Sequence, residues 1–312
     1  MTVLKHDAAV TINDATASIN DATAYVPISD ADRYTFDRDG FLLVPGALRP
    51  DVWMRAAAAA DRVYTEELLA DRLRPDRSLH LIGMIDRDPV FLDLLDHPAT
   101  FRYVWNLLGW NIHTHHNHLD IHPGNQPPER ASWNWHQDGY RQNSDVDAEP
   151  RPMLAVKVGF VLSDMSATGR GATKVIKGSH RWNTLAGRPA RPNLPFDEPP
   201  GAEEIVARAG DAFIFDRRLW HSRSVNTSTL TRKIVFIGYT HRWIRPLDEV
   251  DYQRDASWFG ALSPVRQQLL GAGLNNANFW GVRPDGWIDQ SIPLRAELAG
   301  RDLLDGHLPY LR

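Results

Sequence analysis

The spacing of apolar residues changes twice along the chain. Residues 1–30 hold mostly small polar side chains and an imperfect seven-residue duplication, Ile12–Ser18 followed by Ile19–Tyr25. So little apolar surface predicts a disordered tail over 1–30. Gly40–Pro45 then reads as a short buried strand. Pro50 suits the first turn of a helix, and the Ala-rich stretch Val52–Leu73 has high helix propensity with little to break it. Asp88-Pro89 reads as an N-cap and first-turn proline, His97-Pro98 divides the segment into two helices, and Gly109 stops the second. Further on, Met153–Leu162, Ala172–Ile176, Ala212–Phe215 and Ile234–Tyr239 are short, apolar and rich in β-formers. Clusters of Gly, Pro, Asp and Asn separate them. The pattern predicts a mainly β domain with flanking helices over residues 31–250, as a sandwich, jelly roll or barrel. After Pro246 helix and loop return, with a helix from Ser263-Pro264 to about Gly271.

Composition narrows the function. The 312 residues are 43% hydrophobic and 24% charged, enough to bury a core without staples. With 35 Lys+Arg against 39 Asp+Glu the net charge is −4, which argues against a general nucleic-acid binder. There is no cysteine, so disulfides, thiolate metal sites, iron–sulfur clusters and Cys nucleophiles are excluded. No apolar run approaches the roughly 18 residues of a membrane helix. The N-terminus lacks a basic start followed by an apolar stretch, so neither membrane nor secretory signal is expected and the cytoplasm is the expected location.

Any metal site must therefore come from the 13 histidines and the carboxylates. Trp135-His136-Gln137-Asp138-Gly139 places an imidazole and a carboxylate two residues apart, on one face of a strand. His221, after the apolar run Phe213–Phe215, is the best third ligand for a facial triad of two His and one carboxylate. Such a triad leaves open positions on Fe(II) for O2 and substrates. Eleven residues beyond His221 stands Arg232, whose fork matches a carboxylate with two parallel hydrogen bonds. Two other readings stay open on these residues: a zinc hydrolase, since the same ligands suit zinc, and a non-catalytic cupin-like binding domain.

The set as a whole resembles the phytanoyl-CoA dioxygenase family of iron(II)- and 2-oxoglutarate-dependent oxygenases. The resemblance runs from about Tyr34 to His241. It rests on Asp37-Arg-Asp-Gly-Phe-Leu-Leu-Val-Pro45, Trp135-His-Gln-Asp138, the Gly-rich stretch Gly171–His180, and Phe215-Asp-Arg-Arg-Leu-Trp-His221 with Asn226 and Arg232. It implies a double-stranded β-helix, Fe(II) on His136, Asp138 and His221, and the distal carboxylate of 2-oxoglutarate on Arg232. It further implies hydroxylation of an unactivated C–H bond of a small molecule, with release of succinate and CO2; tailoring of a natural product is the expected setting. Halogenating relatives have Ala or Gly in place of the carboxylate, so Asp138 argues for oxygenation. Two positions depart from the pattern. Lys177 replaces the proline of Pro-Gly-Ser-His, which only relaxes a turn. Arg223 stands where relatives often carry a small hydroxyl residue, and either meets an anionic substrate group or, the reading preferred here, points to solvent.

Other residues are candidates by position. His113, His115, His116, His118 and His122 crowd one segment. Alternation puts His116, His118 and Asp120 on one strand face and His113, His115 and Asn117 on the other. The first face is expected to line the co-substrate or substrate pocket, a second metal site being the sharper alternative. Thr173 is expected to face the co-substrate, and His180 to make a structural hydrogen bond. Trp133, Tyr140 and Gln142 flank the triad and are candidate substrate contacts. The region 251–312 is expected to close over the barrel mouth as a lid rather than to fold alone, since its aromatic residues Trp258, Phe279, Trp280 and Trp287 need a packing partner.

Overall fold

A computed structural model describes residues 22–127, 135–185, 188–189, 198–247, 257–272 and 292–304. Eleven described strands form three antiparallel sheets. The largest has the order β1 (Phe41–Val44), β9 (Ala212–Asp216), β4 (Ala155–Val161), β11 (Arg232–His241), β3 (Ile112–His122), β2 (Leu79–Ile82). A second sheet has the order β10 (His221–Arg223), β5 (Thr173–Ile176), β8 (Ala202–Glu204), and a small ribbon pairs β6 (Thr184–Leu185) with β7 (Arg188–Pro189). The central strands β4 and β9 are buried along their whole length, which is why they read as near-continuous apolar runs, interrupted in β4 by Lys157, rather than alternating ones.

The two faces of the large sheet have different partners. One packs against helices α1 (Asp30–Asp39), α2 (Pro50–Leu69), α3 (Pro89–Asp93) and α4 (Pro98–Leu108), through Leu119, Ile121, Val158, Phe160, Val235 and Ile237. The α2 face made by Ala56, Ala59, Ala60 and Val63 is buried at helical spacing and fits that core. Asp88 caps α3 by accepting from the Val90 N–H at 2.9 Å, Pro89 and Pro98 open α3 and α4, and Gly109 closes α4. The opposite face, with Phe213, Phe215, Ile234 and Phe236, packs on Val175 and Ile205 of the second sheet. The protein is therefore a two-sheet β structure with helices on one side, and the space between the sheets holds the candidate site.

Some expectations change in detail. Residues 22–30, expected in the tail, are packed. Ala24 and Ile28 are buried, the Trp105 indole donates to the Ala24 carbonyl at 2.8 Å, and Ser29 caps α1. The rest of the expected tail, 1–21, lies outside the described residues. Helix α2 stops at Leu69 rather than Leu73, and β2 was not legible at all. In β3 a register shift at Gly238/Tyr239 leaves His115 without a cross-strand partner, so strict alternation fails before His116. Thr114, not His113, then faces the helices, where its hydroxyl donates to the Leu269 carbonyl at 2.9 Å. Leu269 belongs to α7 (Pro264–Leu269), which follows α6 (Ser257–Gly260) and precedes α8 (Pro293–Gly300). Phe259, Leu262, Val265, Leu294 and Leu298 join the helix-side core, and Arg266 reaches Asp93 and Asp96 at 3.0 and 2.8 Å. These parts of the C-terminal region brace the face turned away from the cavity. Phe279, Trp280 and Trp287, on which the lid expectation rests, lie outside the described residues.

Candidate metal centre and active site

His136 and His221 meet through their backbones. The His136 N–H donates to the His221 carbonyl at 3.0 Å and the His221 N–H to the His136 carbonyl at 2.9 Å. Such a directly opposed antiparallel pair sends both side chains to one face, and the ring centroids lie 4.2 Å apart. Asp138 joins two residues on, its N–H held by the Arg217 carbonyl at 2.9 Å. The chain turns at once through Gly139, which has φ +82°; a Cβ there would lie 1.6 Å from Arg217 Nη1. The short helix α5 (Tyr140–Asp145) follows. Asn143 Nδ2 donates to the Asp138 carbonyl at 3.0 Å, and Arg217 donates to Asn143 at 3.1 Å and to Gln142, fixing the turn.

Asp138 Oδ1 lies 3.8 Å from Nε2 of both His136 and His221, and ligand atoms of the three residues fall within 4.8 Å of one another. His221 Nδ1 lies 2.8 Å from the Leu219 carbonyl, which can only accept, so Nδ1 carries the proton and Nε2 turns a lone pair to the cluster. Burial, aided by His136, lowers the His221 pKa to about 3, so the ring is neutral at ordinary pH, as a metal ligand must be. Burial raises the Asp138 pKa, but Lys157, His221 and His136 outweigh it and hold the carboxyl well below its usual range. Lys157 Nζ stands 2.6 Å from Asp138 Oδ2. The donor set and its protonation fit a divalent iron ion.

The triad opens into a cavity of about 400 Å³. Of the expected residues, His116, His118, Asp120, Thr173, Arg223 and Arg232 line it together with the triad. Gln142 does not: its amide oxygen accepts from Arg217, so it holds the turn after Asp138 instead of facing a substrate. Tyr140 begins α5 with its side chain outside the described residues, and Trp133 also lies outside them. His180 makes the structural contact expected of it, to the Asp37 carbonyl at 3.2 Å. Ligand atoms of His80, His116 and His118 also gather within 4.8 Å. Burial, and after it the nearby Lys157 cation, pushes His118 well below its normal range, so the ring is neutral. All three rings line the cavity wall beside the triad.

Arg232 is almost wholly buried, and its Nη1 donates to Asp120 Oδ2 at 2.5 Å while its Nε has no partner. A buried guanidinium with an unused donor on the cavity wall fits an incoming carboxylate. Arg223 is exposed to solvent, and its guanidinium also meets His122 Nε2 at the cavity wall. Sequence reasoning missed Lys157, His80 and Arg74, which also line the cavity. Lys157 had a signal, a lone cation inside the apolar strand Ala-Val-Lys-Val-Gly-Phe-Val.

The family model for phytanoyl-CoA dioxygenase (PhyH) matches residues 36–234. The chain belongs to the phytanoyl-CoA dioxygenase family. Membership makes it an iron(II)- and 2-oxoglutarate-dependent dioxygenase, and sets aside the zinc hydrolase and the non-catalytic binding domain. Among curated relatives, L-proline trans-4-hydroxylase of Streptomyces griseoviridis is 27% identical over 241 residues, 68% of this chain and 86% of that protein. Ectoine dioxygenase of Nocardia farcinica is 24% identical over 230 residues, covering 66% and 75%. Among solved structures, HygX from Streptomyces hygroscopicus, with nickel and 2-oxoglutarate bound, superposes with a TM-score of 0.55 at 16% identity over 70% of this chain and 90% of that one. This likeness shows that the family member described here shares that fold.

Proposed function

We propose that this protein hydroxylates an unactivated C–H bond of a small organic molecule, in the tailoring of a natural product or other secondary metabolite. In this reading residues 31–250 form the oxygenase domain and its two sheets are those of a double-stranded β-helix, or jelly roll. His136, Asp138 and His221 hold iron(II), and Arg232 takes the distal carboxylate of 2-oxoglutarate. The observation that carries the reading is that three ligand atoms of a two-histidine, one-carboxylate set converge in the same cavity as a buried arginine with an unused donor. Relatives named as an L-proline trans-4-hydroxylase and an ectoine dioxygenase support a small-molecule substrate.

Iron(II) bound there would couple O2-dependent decarboxylation of 2-oxoglutarate, to succinate and CO2, with insertion of one oxygen atom into a substrate C–H bond. The protein's own part is placement. The Leu219 carbonyl fixes the His221 tautomer, and Lys157 engages one oxygen of Asp138 so that the other is presented to the metal. Arg232 sets the co-substrate's direction along the cavity, with Thr173 and His116 beside it on the wall. Phe215 and Phe236 limit water near the metal. His118 and Asp120 complete the wall on which a substrate would rest.

The test is succinate release from 2-oxoglutarate with Fe(II), ascorbate and O2, in wild type and in His136→Ala and His221→Ala. Wild type is expected to release succinate slowly without substrate, and both variants to lose this turnover. Near-normal turnover in either histidine variant overturns the metal assignment. A mass screen for metabolites gaining one oxygen atom then identifies the substrate.

A further inference from the structure

We propose that His80, His116 and His118 form a second metal site, for a divalent ion of the zinc class, on the wall of the same cavity. The inference goes beyond the iron and 2-oxoglutarate reading and does not depend on it.

Register brings the three rings together. His116 and His118 are two apart on β3, opposite Gly238 and Phe236 of β11, and both rings leave the sheet on the cavity side. Gly238 carries no side chain, which leaves the floor beside His116 open. His80 arrives from β2, opposite Asp120 and diagonal to His118. One ligand atom of each ring lies within 4.8 Å of the others, the same limit that the His136, Asp138 and His221 set meets. Ring centroids are 4.4 Å apart for His80 and His118, 4.9 Å for His116 and His118, and 6.2 Å for His80 and His116. Three imidazoles on one tetrahedral ion, each nitrogen about 2.1 Å from it, hold their centroids about 5 Å apart, so adjustments of about 1 Å let these rings share an ion.

The surroundings suit ligation. His118 is only 6% exposed, and its Nδ1 is buried with no hydrogen-bond partner. A buried ring nitrogen in that state costs the fold unless a ligand takes it. The ring is also neutral, as a ligand must be. His80 Nδ1 lies 3.4 Å from Asp120 Oδ1, which can only accept, so Nδ1 carries the proton and Nε2 holds the lone pair. A carboxylate behind a ligating imidazole is the usual outer support of a zinc site. A set of three imidazoles with no carboxylate selects zinc, nickel or copper over magnesium or calcium. Four cations line the cavity. Lys157 is paired with Asp138 at 2.6 Å and Arg232 with Asp120 at 2.5 Å, while Arg74 and Arg223 stand on the same wall. These arginines disfavour a bare dication and favour one that carries an anionic oxygen. Three histidines leave a fourth position open for it, so the ion would take hydroxide or an acidic oxygen of a small molecule.

The experiment counts Zn(II) bound to tag-free, full-length protein after equilibrium dialysis, by mass spectrometry of the metal. Wild type is expected to hold two ions per chain. His80→Ala is expected to hold one, on the triad; its side chain is 28% exposed, and a thermal melt checks that the variant is folded. The double variant His136→Ala/His221→Ala is also expected to hold one, and to lose it when His80→Ala is added. Co(II) in that double variant should show the intense visible absorption of a four-coordinate ion, a signature that a purely structural role for the three rings would not produce. One ion in wild type, or two in His80→Ala, overturns the proposal. A His80→Ala protein with one ion beside a triad double variant with none overturns the second site and leaves the triad intact. Weakly absorbing, six-coordinate Co(II) in the triad double variant overturns the three-histidine geometry.

Discussion

Lys157 and the metal should compete for the charge of Asp138, and the competition can be measured. Lys157 Nζ lies 2.6 Å from Asp138 Oδ2, with the lysine side chain only 9% exposed and Phe215 and Phe236 beside it. At an effective dielectric constant of about 20, two unit charges at that distance attract by about 6 kcal/mol, most of which offsets the desolvation of both groups. Breaking such a pair by removing one partner costs about 3–5 kcal/mol, because the other charge is left buried alone. Lys157→Met keeps the length and apolar contacts of the stem and removes the cation. In a chain of 312 residues 1 kcal/mol moves Tm by about 1.5 °C, so the metal-free variant should melt about 5–8 °C lower than wild type. Saturating Ni(II) should then raise Tm more in the variant than in wild type, since the ion becomes the only cation on Asp138. Differential scanning calorimetry with and without Ni(II) gives both numbers. Equal metal-free Tm values together with equal metal-induced shifts would refute the coupling of Lys157 to Asp138.

Three further outcomes follow from other parts of the molecule. Gly139→Ala puts a Cβ into the Arg217 guanidinium at a left-handed backbone position; it should displace the Asp138 turn and weaken Ni(II) binding at least ten-fold, and wild-type affinity by calorimetry refutes this role for the turn. Ser29→Ala removes the cap that accepts from the Asp32 N–H at 3.0 Å and should cost about 1 kcal/mol in urea unfolding; no loss means that the segment before α1 is held by Trp105 and Asn106 without help from the cap. Glu67 is held below its usual pKa first by the paired hydrogen bonds from Arg72, against burial, and then by Arg87. A carboxylate depressed in the fold stabilises it above the unfolded pKa, about 4.3, and this contribution is lost as pH falls through the folded value. Glu67→Gln should therefore lower stability at neutral pH and flatten its decline below about pH 5; denaturation curves that fall in parallel with wild type sink this assignment.

The fold was legible where one local signal decided it. Asp88-Pro89, His97-Pro98 and Gly109 bound helices because capping and proline geometry act over a few residues. β4 and β9 were legible because both of their faces are buried. β2 was not: Leu-His-Leu-Ile is too short to show a period, and it is a strand only because β3 pairs with it, His80 opposite Asp120. The bulge that spoils alternation in β3 has the same origin, since a register shift belongs to two strands and is written in neither. The packing of 22–30 was missed because its partners, Trp105 and Asn106, are about 80 positions away.

The candidate site divides along the same line. Its candidate metal ligands were legible as a set, His136 and Asp138 by their two-residue spacing and His221 by its place in the order of the family's motifs, and the structure adds that His136 and His221 pair through their backbones. What balances their charge was not readable. Lys157 reaches Asp138 from β4, Asp120 reaches Arg232 from β3, and Arg223 comes from β10, so each counter-charge arrives on a different strand. A metal-ligand set can be recognised as a local motif, whereas the net charge its substrates meet is set by sheet register. This is why Arg232 could be read as a candidate carboxylate site while its partner Asp120, a hundred residues earlier in the chain, could not be linked to it.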